Sequence, residues 1–133
     1  MRLWLMLPFS LLAFGCSKSK ESKVDNDNDC RPSEVCNWYG ACTPVEGGCR
    51  ATKDEDCLRS RVCKQYGYCT AVDGRCRVTK DEDCRRGEKC GLYGFCTAVN
   101  GECKAMSNKD CRQSERCKNF GQCTAVDGWC RKR

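Results

Sequence analysis

Residues 57–83, CLRSRVCKQYGYCTAVDGRCRVTKDED, decide how this chain folds. Cysteines stand at 57, 63, 69 and 76, a C-x5-C-x5-C-x6-C spacing, and the pattern starts again at Cys84. The same 27-residue unit occurs four times: Cys30, Cys36, Cys42, Cys49; Cys57, Cys63, Cys69, Cys76; Cys84, Cys90, Cys96, Cys103; Cys111, Cys117, Cys123, Cys130. Eight positions never vary among the units: the four cysteines, a glycine (Gly40, Gly67, Gly94, Gly121), a threonine (Thr43, Thr70, Thr97, Thr124), a valine (Val45, Val72, Val99, Val126) and a second glycine (Gly47, Gly74, Gly101, Gly128). Such self-similarity marks a tandem repeat.

Each unit has two halves. The first runs from an aspartate (Asp29, Asp56, Asp83, Asp110) to the first invariant glycine and predicts a short helical turn. The acid can cap free backbone N–H groups, Pro32 is tolerated in a first turn, and glycine suits the left-handed residue that closes a helix. The second half carries Asp73-Gly74, Asn100-Gly101 and Asp127-Gly128, two-residue hairpin signals between Thr and Val, with Glu46-Gly47 a weaker form. The expected fold is small and disulfide-rich: four tandem 27-residue beads, each a short helical turn plus a tiny β-hairpin. Junctions of seven residues (50–56, 77–83, 104–110) suit beads that are loosely jointed or stacked, with no shared hydrophobic core crossing between them.

Composition explains the cysteines. They supply a large share of the 40% hydrophobic content, and the repeats hold few Leu, Ile or Phe. A unit this poor in aliphatic residues cannot bury enough surface to offset chain entropy and needs covalent staples. Disulfides persist in oxidising compartments, so the cysteine usage argues for export. Four cysteines allow three pairings, which sequence does not separate. First-to-third with second-to-fourth is favoured, because both bonds then tie the helical half to the hairpin.

Seventeen cysteines leave one outside the repeats, Cys16. It follows MRLWLMLPFSLLAFG, in which Arg2 precedes an apolar run of roughly a dozen residues, shorter than the ~20 needed to cross a bilayer. Residues 17–29, SKSKESKVDNDND, are polar and charge-mixed and predict a disordered tether. Fully extended it would reach about 45 Å at ~3.5 Å per residue. The organisation expected is a signal peptide (1–15), a lipidated cysteine and tether (16–29), and repeats 30–56, 57–83, 84–110 and 111–133. Ordinary signal cleavage after Gly15 is the alternative; it would leave Cys16 as an unpaired thiol.

The chain has no histidine, which removes Ser-His-Asp and Cys-His catalysis and His-ligated zinc. C-x5-C spacing lacks the C-x2-C knuckles of zinc and iron–sulfur sites, and no nucleotide-binding glycine loop is present. Asp25 to Asp29 resembles the start of a calcium loop, but Cys30 stands where an EF-hand needs Gly and Cys36 where it needs Glu. The acids at Asp54 to Asp56 and Asp81 to Asp83 read as caps and solvated linkers. No enzyme, cofactor or metal is expected. The net charge of +6 and the terminal Arg131-Lys132-Arg133 favour an anionic polysaccharide or another envelope protein as partner over nucleic acid.

Two residue sets recur once per repeat. The aromatics Tyr39, Tyr66, Tyr93 and Phe120 precede the first glycine, and the basics Arg50, Arg77, Lys104 and Arg131 follow the fourth cysteine. Each ring is expected to cover a disulfide or the next bead. The functional alternative is a binding ladder, extended by Trp38, Tyr68, Phe95 and Trp129.

Leu12-Ala13-Phe14-Gly15-Cys16 resembles a bacterial lipobox, and the chain as a whole resembles bacterial lipoproteins with tandem four-cysteine repeats. The resemblance implies a diacylated Cys16 as the mature N-terminus. Ser17, where an Asp would signal retention at the inner membrane, implies an outer-membrane lipoprotein facing the periplasm or the surface. It implies no activity. The expected function is a non-enzymatic spacer or binding module held to the membrane through Cys16; a secreted, disulfide-rich inhibitor or toxin-like effector is the alternative.

Overall fold

The computed structural model describes residues 30–133. The segments expected to be a signal peptide (1–15) and a lipidated cysteine with its tether (16–29), Asp29 included, lie outside the described residues. The first repeat contributes α1 (Glu34–Tyr39), β1 (Thr43–Val45) and β2 (Gly48–Arg50). The junction residues fold into the first helix of the repeat they lead into and are counted with it from here on: the second contributes α2 (Asp54–Leu58), α3 (Arg61–Tyr66), β3 (Thr70–Val72) and β4 (Arg75–Arg77). The third has α4 (Asp81–Arg86), α5 (Glu88–Tyr93), β5 (Thr97–Val99) and β6 (Glu102–Lys104). The fourth has α6 (Asn108–Arg112), α7 (Glu115–Phe120), β7 (Thr124–Val126) and β8 (Trp129–Arg131). Each strand pair is an isolated antiparallel hairpin.

Small disulfide-rich units of helix plus hairpin are thus observed, but the helical half is two turns rather than one. A serine three residues after the first cysteine divides them. Ser33, Ser60 and Ser114 have extended backbones and accept hydrogen bonds from the N–H groups of Cys36, Cys63 and Cys117 at 3.2 Å. Their hydroxyls donate back to the carbonyls of Cys30, Cys57 and Cys111 at 2.6–2.7 Å. Each serine therefore ends one helix and caps the next. Gly87 takes the same extended conformation in the third repeat without a side-chain bond.

The hairpin reading holds in the last three repeats. Asp73, Asn100 and Asp127 have φ of 50–51° and their following glycines 77–80°, the two left-handed residues of a type I′ turn. In the first repeat the left-handed residues are Gly47 and Gly48 instead, so Glu46 escapes that strain.

Eight disulfides form, all within their own repeats, but not in the favoured pairing. First cysteines join fourth: Cys30–Cys49, Cys57–Cys76, Cys84–Cys103 and Cys111–Cys130. Second cysteines join third: Cys36–Cys42, Cys63–Cys69, Cys90–Cys96 and Cys117–Cys123. The cause is the corner at the first glycine. Its left-handed φ (67–79°) turns the chain back, bringing the third cysteine beside the second at Cα–Cα distances of 4.5–4.6 Å. Only the outer bridge then ties helix to hairpin. With little aliphatic core, these cystines are the interior: ten of the repeat cysteines are buried, together with Ala51, Val78 and Ala105 at the junctions.

The repeats are stacked, and their contacts cross the junctions. Helices α1, α3, α5 and α7 pack one against the next. A Cβ placed on Gly67 would stand 2.6 Å from the Asp83 carbonyl oxygen; on Gly40 or Gly94 it would meet the Cys76 or Cys130 sulfur at 2.6 Å. The first glycine is therefore required both by its left-handed φ and by the backbone of the following repeat.

Candidate functional surface

The residues shared by the repeats converge on the seams. Asp56, Asp83 and Asp110 lie inside the first turns of α2, α4 and α6 and face backward across the seam; Asp83 and Asp110 also cap their helix starts, accepting from Lys80 N at 3.4 Å and Ser107 N at 3.3 Å. Asp56 accepts from Thr43 Oγ1 at 2.7 Å and from Thr52 N at 3.1 Å. Asp83 accepts from Thr70 Oγ1 at 2.9 Å and from Thr79 N at 2.9 Å. Asp110 accepts from Thr97 Oγ1 at 2.8 Å and from Met106 N at 2.9 Å. These carboxylates are only 2–7% exposed, and their bonds offset the cost of burying charge. The invariant threonine is thereby explained for the first three repeats.

The remaining linker acids have structural partners too. Asp54 and Asp81 accept the N–H groups of Ala71 and Ala98, and Asn108 does the same for Ala125, all at 2.9 Å. An amide oxygen serves as well as a carboxylate here, which accounts for the acid missing at the third junction. Among the described residues no three His, Cys, Asp or Glu side chains assemble into a metal-holding group.

The candidate aromatics sit at the ends of the stacked helices. Tyr39 and Phe120 are about three-fifths exposed, whereas Tyr66 and Tyr93 are more covered. Lys89 Nζ lies 4.4 Å from the Tyr66 ring centre and Arg116 Cζ lies 5.1 Å from that of Tyr93, each cation coming from the following repeat. Arg61 covers Trp38 likewise at 4.6 Å. These cation–π contacts reinforce the seams. Tyr93 and Phe120 also share a shallow hollow of about 350 Å³ with Leu92 and Arg116.

The candidate basics end the outer strand of each hairpin, opposite the invariant threonines. Arg50, Arg77 and Arg131 are exposed; Lys104 is half-buried and lies 3.4 Å from Glu102. The Arg50 and Lys104 stems lie against Gly74 and Gly128 at the tip of the next hairpin. The candidate aromatics and the candidate basics are therefore separate sets, and members of both meet at one place.

That place is a half-open cleft of about 240 Å³ with walls from three repeats: Tyr66 and Tyr68, then Lys89, Phe95, Glu102 and Lys104, then Trp129. Tyr66 and Tyr68 lie 6.2 Å apart between ring centres, and Phe95 meets Trp129 edge-to-face at 5.0 Å. The hairpins explain the opening. Ala51 N donates to Gly74 O at 3.1 Å and Ala105 N to Gly128 O at 3.0 Å, joining hairpins one to two and three to four. No such bond joins Val78 to Gly101 among the described residues, and nothing approaches within 4 Å of a Cβ built on Gly101. The bulkier Val78 stands where the closed junctions have alanine. Tyr68, Phe95 and Trp129 were legible in sequence only as possible extensions of a ladder; Lys89 was missed, although it replaces Val35 and Val62 of the first two repeats.

Comparison with known proteins finds no matching family model, no matching curated protein and no matching solved structure. Eight disulfides fit an exported protein, and no helix of the described residues is long and apolar enough to cross a membrane.

Proposed function

We propose that this chain is a non-enzymatic envelope lipoprotein, anchored in the outer membrane through Cys16, whose stacked repeats hold a binding surface away from the lipid. The observation that carries the reading is the cysteine count. All sixteen repeat cysteines are paired within their own repeats, so Cys16 alone lacks a partner from that framework. Thioether acylation accounts for a cysteine placed after an apolar leader, and two or more acyl chains give stable attachment. The invariant residues also favour a scaffold over a catalyst: cysteines, glycines and threonines go to bridges, turns and seams.

Metabolic labelling with an alkynyl fatty acid, read with the intact mass of the mature protein, tests the anchor. The expected result is label on wild type, none on Cys16→Ser, and a mature N-terminus at residue 16. An unmodified Cys16 on a protein released into the medium supports the secreted effector instead.

A further inference from the structure

The cleft between the second, third and fourth repeats stands apart from the residues that build the scaffold. Its walls are made of the residues by which the repeats differ. Tyr68 and Phe95 occupy the position held by Ala41 and Gln122 in the outer repeats. Trp129 stands where the others have Gly48, Arg75 and Glu102, and Lys89 where the first two have valine. None of these is needed to build a repeat, since the other units fold without them. They nevertheless gather in one hollow, at the one seam whose hairpins are apart.

We propose that this cleft binds one acidic sugar unit of an anionic polysaccharide. The inference rests on the binding-module part of the proposed function and deepens it; it does not depend on the lipid anchor. At about 240 Å³ the cleft is smaller than the roughly 300–1,000 Å³ of drug-sized pockets, which suits a single ring. Its aromatic walls offer flat apolar surface for the C–H face of a pyranose, while the tyrosine hydroxyls and indole N–H serve as polar handles. Trp129 is 53% exposed and Tyr66 39%, so neither is closed off by its neighbours. The charged groups lining the cleft are Lys89, Lys104 and Glu102. Lys104 pairs with Glu102, which leaves the cation of Lys89, stacked on Tyr66, as net positive charge for a carboxylate. Glu102 remains an acceptor for ring hydroxyls.

The repeats themselves supply substitutions that the fold tolerates at equivalent positions. Full-length protein in detergent, carrying Trp4→Phe and Trp38→Phe so that Trp129 is the one tryptophan left, is titrated with tri-galacturonate at low salt and followed by tryptophan emission. Saturable binding is expected. Tyr68→Ala should weaken it roughly tenfold, as loss of a stacking ring commonly does. Lys89→Val should weaken it up to about fivefold, the range of an exposed ion pair, and the loss should shrink as salt rises. Tyr68→Phe should keep most of the affinity. Neutral tri-galactose should bind more weakly than the acid on wild type and equally on Lys89→Val. Folding is checked by far-ultraviolet circular dichroism and by a mass that retains all eight disulfides.

No saturable change, or equal affinity in Tyr68→Ala, overturns the site. Equal affinity for the neutral sugar on wild type overturns the acidic class, and tighter binding of oligothymidylate overturns the saccharide in favour of a base-stacking platform. Each of these leaves acylation of Cys16 untouched, because that is read separately by labelling.

Discussion

The seam between the first and second repeats and the seam between the second and third share one helical contact and differ at the hairpins. In both, a left-handed glycine abuts the next helix and a threonine bonds a buried aspartate across the junction. Only the first adds a hairpin-to-hairpin bond, from Ala51 to Gly74, and packs an arginine stem on the turn. With valine at position 78 the helical side stays closed while the hairpins stand apart. At this seam the stack is thus joined on the helical side and open on the hairpin side, and the cleft occupies the open side.

Breaking the shared part should cost most. Replacing the outer pair Cys57–Cys76 by alanine is expected to destabilise the second repeat by roughly 3–5 kcal/mol, and replacing Cys63–Cys69 by about 2 kcal/mol, because the outer bond closes the longer loop. Guanidinium unfolding of the two variants measures the order. Gly67→Ala should follow at about 3 kcal/mol, since it adds left-handed strain to overlap with the Asp83 carbonyl. Gly121→Ala, with a similar φ but open surroundings, should cost only about 1 kcal/mol. Equal losses at the two glycines would show that the seam contact contributes nothing.

Smaller effects sharpen the same comparison. Thr70→Val removes one of the donors to buried Asp83 and should cost roughly 1–2 kcal/mol. Thr124→Val, whose hydroxyl has no carboxylate partner among the described residues, should be near neutral. Thermal unfolding of the pair separates them. Val78→Ala deletes two methyl groups from a buried side chain and should cost roughly 1–2 kcal/mol. Its consequence is geometric: the second and third hairpins should approach and tri-galacturonate binding should fall.

How much of this was legible depended on whether a feature is local. The 27-residue period, the Asp-Gly and Asn-Gly turns and the closing role of the first glycine follow from local backbone preferences, and the structure has them. The acids cap as their position before the first cysteine suggests, at Asp83 and Asp110, and Ser33, Ser60 and Ser114 carry a further local signal, the break between the two helical turns. Disulfide pairing was not, because it depends on the direction in which the left-handed corner returns the chain. The seam was hidden for the same reason. Thr70 and Asp83 are 13 residues apart and meet only once one repeat has stacked on the next. The cleft adds a further step, since it exists only where Val78 leaves two hairpins unjoined.

The central claim is that the repeats form a continuous stack rather than a string of separate beads. Proton–proton nuclear Overhauser contacts in isotopically labelled protein test it most directly. A Cβ on Gly40, Gly67 or Gly94 would lie 3.0–3.1 Å from the Cα of Cys57, Cys84 or Cys111 respectively. The account predicts strong cross-peaks between the α-protons of each of these pairs, at all three seams. Intact contacts within every repeat, with no cross-peak at any of the three seams, would contradict it.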